Sequence, residues 1–100
     1  MNDILSALDR CIIPSFSSSP NVRVEYTVSV IPCASVTLTS PARQAKLLWN
    51  EIEQVYMYEI AGSVLTPTMV DQILGKKVWY SSPMCALVLA MKDPTRCRRT

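Results

Sequence analysis

The segment from Ser40 to Gly62 constrains the chain most, because it reads as one helix with both ends marked. Ser40 suits the N-cap, Pro41 suits the first helical position, and Gly62 suits the left-handed residue past the end. Ala45, Leu48, Trp49, Ile52, Val55, Tyr56 and Ile60 recur at three- and four-residue steps, which predicts a broad apolar stripe. Arg43, Lys46, Asn50, Glu51, Glu53 and Gln54 fall largely on the opposite side. Basic residues near the start and acidic residues toward the end oppose the helix dipole. That costs at most about 1 kcal/mol per charge, less than the several kcal/mol released by burying a Trp, an Ile and two Leu. A stripe this wide requires an apolar sheet to cover it.

Just upstream, Val22, Val24, Tyr26, Val28 and Val30 alternate with Arg23, Glu25, Thr27 and Ser29. Period two with β-branched residues on one face predicts a strand in an antiparallel sheet with one wet face. Pro32-Cys33-Ala34 breaks the strand, and Ser35 to Thr39 resumes it with Val36 and Leu38 inward. Strands this close pair only as an antiparallel hairpin.

Asn2 to Ile12 reads as a short helix whose Ile4, Leu5, Leu8 and Ile12 share a face. Residues 14–21, rich in Ser and Pro, read as a mobile linker. Beyond Gly62, Thr66-Pro67 repeats the cap-then-proline signal, Met69, Val70, Ile73 and Leu74 follow at helical spacing, and Gly75 closes a short helix. Lys77 to Tyr80 reads as a strand. Met84 to Met91 is an unbroken apolar run of a length that suits a buried strand and a composition that suits a helix. It is read as a strand because Val78–Tyr80 needs a partner. The expected fold is therefore α+β: a small antiparallel sheet of two hairpins, one long amphipathic helix packed on one face, and two short helices. One domain spans 1–94, and 95–100 is a basic, disordered tail. With 49% apolar residues the chain can build a core. Its longest apolar run is far short of the roughly 20 residues of a membrane span.

The residues offer little catalytic chemistry. There is no histidine, and only two glycines, both at helix ends, so neither the usual general base nor a phosphate-cradling loop is in view. Glu51 and Glu53, two apart on a helix, point in different directions. The expectation is a non-enzymatic protein without cofactor or metal. Cys11, Cys33, Cys85 and Cys97 have no zinc-pair spacing and no secretory signal precedes them, so they are expected as free thiols in an intracellular protein, cytoplasmic or nuclear. Of the four Ser/Thr-Pro dipeptides, Ser40 and Thr66 are better read as caps, leaving Ser19 in the linker as the candidate modification site. The formal charge is +2, and its surplus sits in the last nine residues. Lys76, Lys77, Lys92, Arg96, Arg98 and Arg99 are the candidate contacts to nucleic acid or an anionic surface, against the plainer reading of a solvated tail. Met57 and Tyr58 fall off the helical stripe and, with Trp79 and Tyr80 on a candidate edge strand, are the candidate interface. The Val22–Ile31 edge would be satisfied by pairing across a two-fold axis, which predicts a homodimer.

The run Trp49 to Leu74, with Tyr56-Met57-Tyr58-Glu59-Ile60-Ala61-Gly62 after an alternating strand and a helix, resembles a central stretch of negative-strand RNA virus matrix proteins. The compact order of elements is similar to small virus-encoded accessory proteins. The resemblance covers about a third of the chain, has no specific motif and implies assembly rather than catalysis. The leading expectation is a small self-associating interaction protein that binds a protein partner. The alternative is a nucleic-acid-binding accessory protein that uses its basic tail.

Overall fold

The computed structural model of the chain describes residues 2–14, 24–58 and 65–99. The architecture is α+β. Strands β1 (Cys11–Pro14), β2 (Glu25–Ile31), β3 (Ser35–Thr39), β4 (Gln44–Leu48) and β5 (Arg98–Arg99) form one antiparallel sheet in the order β4-β3-β2-β1-β5. Helices α1 (Asn2–Leu8), α2 (Trp49–Met57), α3 (Pro67–Leu74) and α4 (Ser81–Lys92) complete the fold. The β2–β3 hairpin and its phase match the alternation in the sequence. Tyr26, Val28, Val36 and Leu38 are buried, and Val28 stands opposite Leu38.

Over its described residues, 40–58, the helix expected from Ser40 to Gly62 is two elements. Its first half is β4, whose Ala45 and Leu47 face the core opposite Leu38 and Val36. Its second half is α2, which buries Ile52 and Val55. The Ser-Pro signal belongs to a turn rather than to a helix start. Ser40 Oγ accepts from the Arg43 N–H at 3.2 Å, the three-residue spacing of a helix cap, but the Ser40 N–H also donates to the Arg43 carbonyl at 2.9 Å and closes a turn between β3 and β4. Proline is equally at home in such a turn. Ladder pairing with β3 then outweighs the helix preference of Gln44–Leu48. Thr66 does cap α3: its Oγ1 accepts from the Met69 N–H at 3.3 Å, and Gly75 ends the helix at φ 73°.

The short N-terminal helix also stops early. Arg10 takes a left-handed φ of 66°, its N–H donates to the Val28 carbonyl at 2.8 Å, and Asp9 Oδ1 accepts from the Val30 N–H at 3.0 Å. Those bonds turn Cys11–Pro14 into β1, with Cys11 and Ile13 fully buried. β2 is therefore a central strand, not an edge, and leaves no open ladder for a second subunit to pair with.

The second hairpin does not form. Among the described residues Val78 to Tyr80 has no strand partner; the Val78 N–H donates to Asp71 Oδ1 and the Tyr80 carbonyl accepts from the Met84 N–H. The run Met84–Met91 belongs to α4, and every residue of that run but half-buried Leu89 is buried. A helix walled on all sides has no polar face, so its sequence shows neither period. β1 and α1 pack on α4, as do α2 and α3. The linker expected over 14–21 lies outside the described residues except for Pro14, which ends β1; Ser19 and the Gly62 helix end lie outside them too. Among the described residues no helix is long and apolar enough to cross a membrane.

Candidate functional site

The helices and the core occupy one face of the sheet. On the other face Glu25, Thr27, Ser29, Thr39, Gln44 and Lys46 are exposed, so this side is a flat, Ser/Thr-rich surface. At one end of it Ile31, Ser35 and Leu48 form a cross-strand row, in which Ile31 is 52% and Leu48 48% exposed. At the other end a shallow depression of roughly 700 Å³ is lined by residues that include Ile12, Glu25, Thr27 and Thr39. Among the described residues its one acidic lining residue, Glu25, is ion-paired with Arg98.

The four aromatic and methionine residues named as an interface separate into two places. Met57, 69% exposed, and Tyr58, 49% exposed, stand at the end of α2. Trp79, 60% exposed, lies 5.9 Å from the Arg43 guanidinium in a cation–π contact and meets Tyr80 edge-to-face at 5.7 Å. Tyr80 is half-buried, and its hydroxyl donates to Glu51 Oε1 at 2.7 Å while Lys76 Nζ approaches Glu51 Oε2 at 3.5 Å. Tyr80 and Glu51 thus tie the α3–α4 connection to α2, which is a structural duty.

Burial, then the Glu51 hydrogen bond and the Glu51 charge, push the Tyr80 phenol from its usual 10.0 up to about 12. The raised value means that the unfolded chain ionises first. The stabilisation is complete below pH 10 and is lost as pH rises through about 12. An ultraviolet titration should show a tyrosine transition near pH 12 that is missing from Tyr80→Phe. Loss of amplitude near pH 10 instead would refute the contact.

The cationic residues do not form one cluster. Arg98 bridges to Glu25, Arg96 Nε approaches Asp93 Oδ2 at 3.8 Å, Lys76 faces Glu51, and Lys92 Nζ sits 5.6 Å over the Tyr56 ring. Lys77 is exposed. Arg99 pairs through its backbone with Cys11. The segment expected as a disordered tail is a short 3₁₀ turn, Pro94–Arg96, followed by β5 on the sheet.

Two of the four cysteines depart from the expected free thiols, while Cys33 and Cys85 are free. Cys11 and Cys97 form a disulfide with Cα atoms 5.6 Å apart and a sequence separation of 86. Sequence spacing cannot reveal this pair, because β1 and β5 meet only after the sheet has assembled. Cys33 is exposed in the β2–β3 turn and Cys85 is buried. The Cys85 thiol donates to the Leu65 carbonyl, and burial raises its pKa to about 12, so it is a small core residue rather than a nucleophile.

No model of a known protein family, no curated protein and no solved structure matches this chain.

Proposed function

We propose that this chain is a non-enzymatic interaction and assembly protein, of the virus-encoded accessory or matrix-like kind, which self-associates and binds a protein partner. The observation that carries this reading is its exposed apolar surface. Ile31 and Leu48, both about half exposed, flank the buried Ser35 in one cross-strand row, and Met57, Tyr58 and Trp79 are each about half or more exposed. Single exposed apolar residues are ordinary, but a paired row on a flat face and a Met–Tyr pair at a helix end favour contact with another surface. Aromatic residues, Met and Arg are also the types enriched at interfaces. In this reading the protein works inside the cell, and Cys11–Cys97 is made under oxidising conditions rather than being a permanent staple. The alternative, nucleic-acid binding through Lys76, Lys77, Lys92, Arg96, Arg98 and Arg99, draws less support, since four of these six already face partners within the chain.

Light scattering behind a sizing column, at low and high salt and with and without a short RNA, tests both readings. The expected result is a salt-resistant dimer or larger assembly that ignores RNA and is weakened by Leu48→Ser or Met57→Ser. A monomer at every concentration refutes self-association. A monomer that shifts with RNA only at low salt favours the alternative, because phosphate contacts weaken as salt rises.

A further inference from the structure

We infer that the Cys11–Cys97 disulfide is a redox latch that holds the C-terminal strand β5 on the edge of the sheet, and that its reduction releases this strand while the rest of the fold stays in place. The latch is independent of the partner reading above.

Among the described residues little besides the disulfide holds β5. The strand is two residues long, pairing Arg98 with Ile12 and Arg99 with Cys11. The described side-chain tie is the Arg98–Glu25 ion pair, whose two side chains are 66% and 43% exposed. Exposed pairs of this kind hold little, and two ladder residues do not offset the ordering of the segment that carries them. The disulfide is therefore the tie that keeps the segment docked. The converse holds for the body of the fold. Among the described residues every fully buried side chain precedes Lys92 in sequence, and Cys97 only packs against the core from its margin. The ladder β1–β2–β3–β4 is complete without β5. Release of the segment exposes the outer edge of β1 at Cys11 and Ile12, and frees Arg98 from Glu25.

The two cysteines differ in exposure. Cys11 is fully buried, whereas Cys97 is half-buried. A thiolate reductant such as glutathione reaches the Cys97 sulfur and forms a mixed disulfide there. The Cys11 sulfur leaves with the bonding pair and takes a proton from water. A second glutathione thiolate attacks the glutathione sulfur of the mixed disulfide, forming oxidised glutathione and releasing Cys97, which is also protonated. Two glutathione thiols are oxidised to one disulfide, and one protein disulfide is reduced to two thiols.

Amide NMR spectra of the full chain in glutathione buffers of rising reducing strength test the latch. The expected result is that the Cys97, Arg98 and Arg99 amides move to random-coil positions together with loss of the disulfide, while Val28, Val36 and Leu47 keep their native shifts. Cys97→Ser should show the same spectrum without reductant, and Cys33→Ser should show the oxidised one. Three outcomes overturn the inference. One is β5 signals that stay native after reduction. Another is native signals of β2, β3 and β4 that vanish together with those of β5. The last is alkylation of both Cys11 and Cys97 in the folded protein before any reductant is added.

Discussion

Cys97→Ser lowers the unfolding free energy by about 4–5 kcal/mol on the chain-entropy account of a cross-link. The reason lies mainly in the unfolded chain. Cys11 and Cys97 are separated by 86 positions, so the bond closes nearly the whole chain into a loop and removes a large set of extended conformations from the unfolded ensemble. The cost to native packing is small, since Cys97 lies at the margin of the core. A loss of this size is a large fraction of the stability of an ordinary small domain. Urea unfolding of the non-reduced protein beside Cys97→Ser measures it. The midpoint should drop strongly, and the denaturant slope should rise, because an uncrosslinked chain exposes more surface on unfolding. Cys33→Ser, which removes an exposed thiol, should leave both unchanged. Equal midpoints for wild type and Cys97→Ser would show that the bond contributes nothing. This global loss is compatible with the latch, because it arises in the unfolded state while the latch describes the native one.

The second large effect separates a helix from a strand at Met84–Met91. Leu87→Ala should cost about 2–5 kcal/mol, the usual range for truncating a fully buried leucine, and Leu89→Ala should cost clearly less. Leu87 is wholly buried and Leu89 is partly exposed. Two residues apart on a helix point in nearly opposite directions, whereas two apart on a strand share a face. α4 touches β1 on one side and α2 and α3 on others, so a cavity left at Leu87 cannot be relieved by water. Urea unfolding of the two variants gives the comparison. Equal losses would contradict α4 and restore the strand reading.

The parts of the fold legible in the sequence are those whose pattern has one interpretation. Val22 to Val30 alternates, and in β2 the expected inward residues Tyr26 and Val28 are buried. Thr66-Pro67, with Gly75 closing the same short run, marks α3 at both ends, and the cap bond and the left-handed glycine are both present. Where one pattern fits two elements, sequence and structure part. Ser40-Pro41 with a bond three residues on serves a turn as well as a cap. Ala45 belongs both to a strand phase with Leu47 and to a helix stripe with Leu48. Met84–Met91 is apolar on every side and carries no phase at all.

The candidate surfaces divide in the same way. The exposure of Met57 and Tyr58 follows from their place off the apolar stripe of α2, and it is visible in the spacing. The half-burial of Tyr80 is not, because it depends on Glu51 arriving from another element. The Ile31–Ser35–Leu48 row is invisible in the sequence because it joins three strands, one of which reads locally as a helix.

By itself the sequence determined the α+β class, the central hairpin and the capped helix α3. These depend on local periodicity and on residues close together in the chain. Only the tertiary structure decided that Gln44–Leu48 is a strand, that Met84–Met91 is a buried helix, and that Cys11 is bonded to Cys97. Each of those outcomes depends on contacts between distant parts of the chain, where ladder pairing and burial outweigh local preferences worth fractions of a kcal/mol per residue.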